Sequence, residues 1–348
     1  MTKLRIVVTN PLAEENARLL AELEPRLEVV YEPELLGHVS VTSGGHNRTA
    51  FQRTPEQQER YEEMIDSADA LFGVPGGSGK ALARTVAANP RLRWVHTIPA
   101  GGGQQVKAAQ LDAAALERIV FTTSAGVYSE PLAEFAALGV LAGAKQVPWL
   151  LQKQRAHEWG ASRIFGSVRG STVLVVGLGS IGRAVAAKLA ALGVRVVGIH
   201  RRHVDVPGVE RIAPVERFAD EAREADAIVM CLPGTDATLK ILGAEVFAAA
   251  KPGITIVNVG RGTTIDEPAL IEALRSQTVG MAVLDVTAAE PLDPASPLWD
   301  LPGVLLSPHT AGLAHGDMRL VTEIVADNAR RLLDGEPLRN IVDTVEFY

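Results

Sequence analysis

Residues 173–202 place the strongest constraint on the fold of this chain, because they join an apolar strand, a glycine turn, a helix and a second strand. Residues 173–176 are apolar and mostly β-branched, residues 184–192 are strong helix formers, and residues 194–199 form a second apolar run. This order of elements predicts a βαβ unit of the kind that binds a dinucleotide.

The turn between the first strand and the helix reads GLGSIG. Gly177 allows a tight turn, Gly179 lets the backbone approach a pyrophosphate, and Gly182 lets the helix lie close to the sheet. Ser180 and Ile181 open the helix, whose N-terminal partial positive charge would face the phosphates. The pattern alone is a weak signal in a chain with 32 glycines among 348 residues. The flanking strands therefore carry the prediction of a nucleotide site.

The second strand of this unit ends in His200, Arg201 and Arg202. Sites for NAD usually place an Asp or Glu here, where it accepts a hydrogen bond from the ribose 2′-hydroxyl. A carboxylate would repel a 2′-phosphate, whereas guanidinium groups attract it. The sequence therefore favours NADP(H) as cofactor, with NAD(H) possible if the two arginines are only solvated charges at the strand end.

Composition narrows the class of protein. With 348 residues and 47% apolar residues, the chain is long enough for two domains. The net charge of −7 gives no basic surface for nucleic acid, and no apolar run is long enough to cross a membrane. No signal peptide is evident, and Cys231 lies in an apolar run, as expected of a buried, inert thiol. We expect a cytoplasmic protein without a metal site.

Strand and helix patterns alternate along the whole chain, which predicts the α/β class. The predicted strands lie at residues 5–9, 27–31, 70–74, 93–98, 119–122, 173–176, 194–199, 227–232, 254–259, 282–286 and 304–307, and a polar loop is predicted at 38–54. The second sheet is complete by His309, so the helical residues 318–333 would return to the first domain. We predict two doubly wound parallel-sheet domains, with a Rossmann domain of residues 124–309 inserted into a flavodoxin-like substrate domain of residues 1–123 and 310–348.

Three short sequences follow strands of the predicted second sheet: NVGRG at 258–262, LDVTAAEP at 284–291 and SPHTAG at 307–312. Ligands of open α/β sheets bind beyond the carboxyl ends of the strands, so Arg261, Glu290 and His309 are candidates to converge there. Separately, each has an ordinary alternative, as a surface charge, a loop cap or an incidental histidine. Their occurrence together, at three strand ends that follow a glycine turn, favours a shared catalytic site.

These sequences, with the glycine turn and the SPLW segment at 296–299, resemble those of the D-isomer-specific 2-hydroxyacid dehydrogenases over about residues 100–312. The resemblance implies that Arg261, Glu290 and His309 are the catalytic set, that the protein is a homodimer, and that backbone amides of Gly101 and Gly102 bind the substrate carboxylate. Where the family often has an acidic residue in that loop, this chain has Gly103 and Gln104. The resemblance therefore does not identify the substrate. We also expect a group of residues to line the cofactor site, namely Leu232, Pro233, Val259, Gly260 and Asp285.

The residue types suit reduction of a small 2-oxo acid to a 2-hydroxy acid. His309 would donate the proton, Glu290 would hold its ring and favour the charged imidazole, and Arg261 would bind the substrate carboxylate or carbonyl oxygen. An NADPH-dependent reductase of the glyoxylate/hydroxypyruvate type is the favoured interpretation. Two alternatives stay open: a formate dehydrogenase-like enzyme, although those carry Gln where Glu290 stands, and a corepressor-like protein that senses the nucleotide and binds a partner.

Overall fold

The computed structural model describes residues 3–37, 51–202 and 204–347. These residues form two compact units, one comprising the chain up to Tyr128 and from Ala314 onward, the other Ser129–Leu313. The sequence predicts breaks after residues 123 and 309, a few residues earlier. Most of the predicted polar loop, residues 38–50, lies outside the described residues, and residues 51–54 have no regular secondary structure.

The first unit contains a five-stranded parallel sheet in the order β2-β1-β3-β4-β5. Its strands match the five predicted ones and are β1 Leu4–Val8, β2 Leu27–Val30, β3 Ala70–Phe72, β4 Trp94–Thr97 and β5 Val120–Thr123. Trp94, Phe72 and Phe121 are its largest fully buried side chains. Apolar residues fill these strands because both faces of a parallel sheet are covered by helices.

The described residues of the first unit form α-helices α1 Glu14–Leu23, α2 Pro33–Leu36, α3 Pro55–Asp66, α4 Gly79–Ala88, α5 Gly103–Ala108, α6 Ala113–Arg118 and, after the second unit, the helix Asp317–Asp334. The sequence analysis missed α2, α5 and α6, which are too short for a helical period to emerge. The C-terminal helix packs against α1, and Arg26 forms an ion pair with its Asp334 at 2.6 Å. The predicted return of the chain to the first domain is thus observed.

The second unit contains a seven-stranded parallel sheet in the order β12-β11-β10-β9-β6-β7-β8. Its strands are β6 Thr172–Val176, β7 Arg195–Ile199, β8 Val209–Ala213, β9 Ala227–Met230, β10 Ile254–Asn258, β11 Val279–Leu284 and β12 Val304–Leu306. The sequence analysis missed β8. This edge strand carries Glu210 and Arg211, and Glu210 forms an ion pair with Arg195 of β7 at 3.0 Å. Charged side chains suit a sheet edge but hide the apolar pattern of a strand.

The helices of the second unit are α7 Ser129–Ala144, α8 Val147–Arg155, α9 Ser180–Ala191, α10 Phe218–Ala222, α11 Ala244–Ala249 and α12 Glu267–Arg275, which leaves Asp317–Asp334 as α13. The residues between Ser129 and Arg155, which are rich in Ala and Leu, form two helices that are separated at Gln146, whose φ is +49°. Central strand β6 lies between β7 and β9, with Val176 paired to Ile199 and to Met230. The chain leaves β6 at the point where the strand order reverses, which is where nucleotides bind in such sheets.

Candidate functional site

The glycine turn follows β6 and leads into α9. Gly177 has a φ of +95°, and a Cβ atom on Gly182 would lie 1.9 Å from the Gly177 carbonyl oxygen, so both positions require glycine. A Cβ atom on Gly179 would meet nothing within 4 Å, because it would project into open space. Ser180 and Ile181 form the first turn of α9. The turn thus leaves open space at Gly179, beside the N-terminus of α9, as a pyrophosphate would require.

The end of β7 lies beside this turn. The Leu178 amide donates to Nδ1 of His200 at 3.5 Å, and Arg201 and Arg202 are exposed. Burial, and then the charges of Arg201, Arg183 and Arg202, lower the pKa of His200. A neutral imidazole at the turn is therefore surrounded by guanidinium groups. Among the described residues, the charges that shift the pKa of His200 are those of three arginines. The positive charge beside the turn is therefore suited to bind an anion.

Arg183 is a residue that the sequence analysis missed. It lies on α9, where its Nε donates to the Leu178 carbonyl at 3.1 Å and its Nη1 donates to the Asp205 carbonyl at 3.1 Å. The side chain thereby connects the glycine turn to the loop that follows β7. Its position directly after Gly182 was the available sequence signal, but only the fold places it beside His200.

The loops after β9 and β10 approach each other closely. A Cβ atom on Gly260 would lie 2.5 Å from the Leu232 carbonyl oxygen, so this contact admits only glycine. Val259 is buried, Leu232 is half-buried and Pro233 is exposed. These residues therefore form adjoining segments at the carboxyl edge of the sheet, and their predicted contact with the cofactor stays a prediction.

Arg261 is held in place by its own loop. Its carbonyl accepts hydrogen bonds from Nδ2 of Asn258 at 3.1 Å and from the hydroxyl of Thr264 at 2.6 Å, and its Nη1 donates to the Gly260 carbonyl at 2.8 Å. Burial lowers the pKa of Arg261, while the charges of Glu290 and Asp285 oppose that shift. A guanidinium that has lost part of its hydration, close to two carboxylates, is suited to bind an anionic substrate group.

His309 and Glu290 lie in direct contact in this region. Nδ1 of His309 lies 2.7 Å from Oε2 of Glu290, and Oε1 of Glu290 accepts from the Thr287 amide at 3.2 Å. His309 has a φ of +56°, an uncommon conformation for a residue other than glycine. The carboxylate therefore orients the imidazole through Nδ1, and the predicted role of His309 in proton transfer would fall to Nε2.

Asp285 organises the loop that carries His309. Its buried Oδ1 accepts hydrogen bonds from the Ser307 hydroxyl at 2.7 Å, the Thr310 amide at 2.8 Å and the Ala311 amide at 2.9 Å. Its own carbonyl accepts from the His309 amide at 2.9 Å. Sequence reasoning put Asp285 in the cofactor group; the geometry gives its carboxylate the task of positioning His309.

The predicted carboxylate-binding loop lies in the first unit, after β4. The Gly102 amide already donates to the Pro99 carbonyl at 3.1 Å, and a Cβ atom on Gly102 would lie 1.7 Å from Oγ1 of Thr97. Gly102 therefore shapes this turn through close packing, and its N–H group is engaged in it. Gly101 is half-buried at the same turn. Binding of a carboxylate by these two residues stays a prediction.

A buried polar cluster lies beside that turn. Nδ1 of His96 contacts the Thr122 hydroxyl at 2.9 Å and Nε2 contacts the Ser124 hydroxyl at 3.0 Å, while Trp94 donates to the same Thr122 hydroxyl at 2.8 Å. Burial lowers the pKa of His96 to about 3, so the ring is neutral at ordinary pH. The sequence analysis did not single out this histidine, because an isolated His within an apolar strand gives no signal of its partners.

The sequence predicts a buried Cys231, and the structure shows the residue half-buried. Loss of hydration raises the pKa of its thiol to about 12. The thiol is therefore protonated and unreactive at ordinary pH. Within the described ranges, no group of three His, Cys, Asp or Glu side chains is placed to hold a metal ion. None of the helices seen in those ranges is long and apolar enough to cross a membrane.

Comparison with known proteins agrees with this geometry. Residues 138–311 match the family "D-isomer specific 2-hydroxyacid dehydrogenase, NAD binding domain". A solved D-isomer specific 2-hydroxyacid dehydrogenase from Xanthobacter autotrophicus Py2, in complex with NADPH and MES, has a TM-score of 0.79 at 27% identity, covering 100% of both chains.

Two curated relatives differ in the reaction for which they are named. Glyoxylate/hydroxypyruvate reductase B of Escherichia fergusonii is 30% identical over 297 residues, which cover 83% of this chain and 89% of that protein. D-3-phosphoglycerate dehydrogenase of Mycobacterium leprae is 36% identical over 286 residues, which cover 80% of this chain but only 53% of that protein. This chain therefore spans about half the length of the second relative.

Proposed function

The chain belongs to the D-isomer specific 2-hydroxyacid dehydrogenase family, and we propose that it works as an NADPH-dependent reductase of small 2-oxo acids, with glyoxylate and hydroxypyruvate as the first to assay. The observation that carries the proposal is the 2.7 Å contact between His309 and Glu290 at the sheet edge that also bears Arg261 and the glycine turn. A formate dehydrogenase-like reaction is disfavoured by the carboxylate at Glu290.

A nicotinamide nucleotide held at the glycine turn of residues 177–182 would supply a hydride for reduction of the substrate carbonyl. His309, in its charged form, donates a proton from Nε2 to the developing alkoxide oxygen, and Glu290 stabilises the positive charge on the ring before that transfer. Arg261 binds the substrate carboxylate or carbonyl oxygen through a planar fork, which fixes its orientation as well as its charge. Asp285 keeps His309 in position throughout.

The cofactor preference rests on the end of β7. Arg183, Arg201 and Arg202 surround His200, and each charge-assisted hydrogen bond to a 2′-phosphate is worth roughly 1.5–3 kcal/mol before desolvation. We therefore expect NADPH to be used at least about tenfold more efficiently than NADH. The NADPH complex of the Xanthobacter protein supports this expectation.

Steady-state kinetics with glyoxylate and hydroxypyruvate, each with NADPH and NADH, tests both proposals. Arg201→Ala combined with Arg202→Ala should raise KM for NADPH much more than KM for NADH. Arg195→Ala is the matched control, since this exposed arginine at the start of β7 pairs with Glu210. If no 2-oxo acid oxidises either cofactor, the reductase proposal is wrong and the corepressor-like alternative gains support. Equal efficiency with both cofactors would refute only the NADPH preference.

The predicted homodimer has a candidate surface in the second unit. Helix α8 has no buried residue, and beyond it Trp159 and Ile164 are 101% and 96% exposed. A group of large, exposed apolar side chains is suited to an interface. We expect Trp159→Glu to lower the mass in solution from dimer to monomer, whereas Leu239→Glu, at an exposed apolar position elsewhere in the unit, should leave it unchanged. The cytoplasmic location stays a prediction.

A further inference from the structure

Arg53 is a half-buried arginine in the first unit, just before α3. Its Nε donates to the Leu35 carbonyl at 2.6 Å, and its guanidinium carbon lies 3.7 Å from the centre of the Tyr61 ring and 5.5 Å from that of Phe51. A carbonyl and two aromatic rings hold the plane of the guanidinium in place without neutralising its charge.

The described part of the chain gives this cation no acidic partner. Among the described residues no Asp or Glu pairs with Arg53, and neither Nη1 nor Nη2 donates a hydrogen bond to any of them. Residues 38–50 contain no Asp or Glu at all. Several other arginines of the unit do form ion pairs, for example Arg60 with Glu32 and Arg84 with Asp66.

Burial lowers the pKa of Arg53, which means that folding has removed part of the hydration of this charge. Two terminal nitrogens of a rigid, partly dehydrated guanidinium are well suited to a bidentate hydrogen bond with a carboxylate or a phosphate. Such a ligand would gain more here than at a fully hydrated surface arginine.

The location connects Arg53 to the ligand-binding edge of its sheet. The buried Tyr61, on which it stacks, donates its hydroxyl to the Thr9 carbonyl at 3.0 Å, and Thr9 directly follows β1. Gly101 follows β4 of the same parallel sheet. Because the carboxyl ends of parallel strands share one edge, Arg53 lies at the edge that carries the loop predicted to bind the substrate carboxylate.

We propose that Arg53 is a specificity residue that binds a second anionic group of the substrate, a carboxylate or phosphate remote from the 2-oxo acid carboxylate. This proposal rests on the reductase function proposed above and narrows its substrate class. A 2-oxo acid with a terminal anion should be preferred to one of similar length whose terminus is uncharged.

Two matched substrate pairs test the proposal and distinguish the two anions: oxaloacetate against 2-oxobutanoate, and 3-phosphohydroxypyruvate against hydroxypyruvate. We expect kcat/KM of the wild-type protein to favour the anionic member of at least one pair by about tenfold or more, mainly through KM. Arg53→Gln should lower that ratio at least fivefold, and Arg53→Lys should retain part of it, since Lys keeps the charge but loses the fork.

Arg60→Gln is the control, because it removes the same charge from an exposed, paired arginine of α3 and should leave the ratio as in the wild type. A wild-type preference for the uncharged member of both pairs would overturn the proposal, even if Arg53→Gln does not fold. So would an equal effect of Arg53→Gln on both members of a pair. Failure to reduce any 2-oxo acid would instead refute the reductase function itself.

Discussion

The carboxyl edges of the two sheets are built from different chemistry. At the edge of the seven-stranded sheet, the carboxylates of Asp285 and Glu290 hold the loop and ring of His309 through hydrogen bonds of 2.7–2.9 Å. At the edge of the five-stranded sheet, His96 is buried and neutral, and Arg53 is a cation that no carboxylate of the described residues pairs with. Proton transfer requires charged groups in fixed positions, whereas recognition of an anion requires donors that have not already been neutralised.

The largest expected effect concerns the proton donor of the seven-stranded sheet. His309→Gln should lower the rate of 2-oxo acid reduction by roughly 100-fold or more, because it removes the proposed donor of the proton to the substrate oxygen. Cofactor affinity, measured by fluorescence titration, should be retained. His315→Gln, at an exposed histidine, should behave as the wild type. A His309→Gln variant with nearly normal kcat would contradict the proposal that the edge of the seven-stranded sheet supplies the proton donor.

The next largest effect separates positioning from catalysis. Asp285→Ala removes the acceptor of three hydrogen bonds from the His309 loop, so we expect kcat to fall about tenfold or more. Asp285→Asn keeps an acceptor oxygen and should retain more activity than the alanine variant. The comparison of kcat, at saturating cofactor and substrate, checks this order. Equal loss in both variants would mean that the negative charge, rather than the hydrogen bonds, is what matters at Asp285.

The smallest effect concerns stability at the other edge. Because the pKa of His96 is about 3 in the folded protein, the unfolded chain takes up a proton below about pH 6.5 that the folded chain does not. The contribution of neutral His96 is complete above that pH and is lost at about 1.4 kcal/mol per pH unit as the pH falls toward 3.

Urea unfolding at about pH 7.5 and 5.5 measures this loss. The free energy of unfolding should fall by about 1 kcal/mol more in the wild type than in His96→Asn, a difference that isolates one histidine from the other titrating groups. His315→Gln should keep the full pH dependence, since its ring is exposed. An identical pH dependence in the His96 variant would show that this ring does not stay neutral.

Sequence reasoning succeeded where the signal is local. The strands of both sheets emerged from apolar runs, and the positions of Gly177 and Gly182 emerged from their spacing, because a βαβ turn imposes its geometry on adjacent residues. The pairing of His309 with Glu290 was also expected, through a resemblance carried by three short sequences at strand ends. Strand β8 and helix α2 were missed, since a charged edge strand and a single helical turn carry little periodic signal.

The amino-acid sequence by itself therefore determined the α/β class, the nucleotide-binding turn and the residue types available for proton transfer. Tertiary structure decided what those residues contact. It gave Asp285 three donors from a loop more than 20 residues away, placed Arg183 between the glycine turn and Asp205, and stacked Arg53 on Tyr61. The physical reason is that hydration, charge and hydrogen bonding at these sites depend on groups distant in the chain, which become neighbours only after folding.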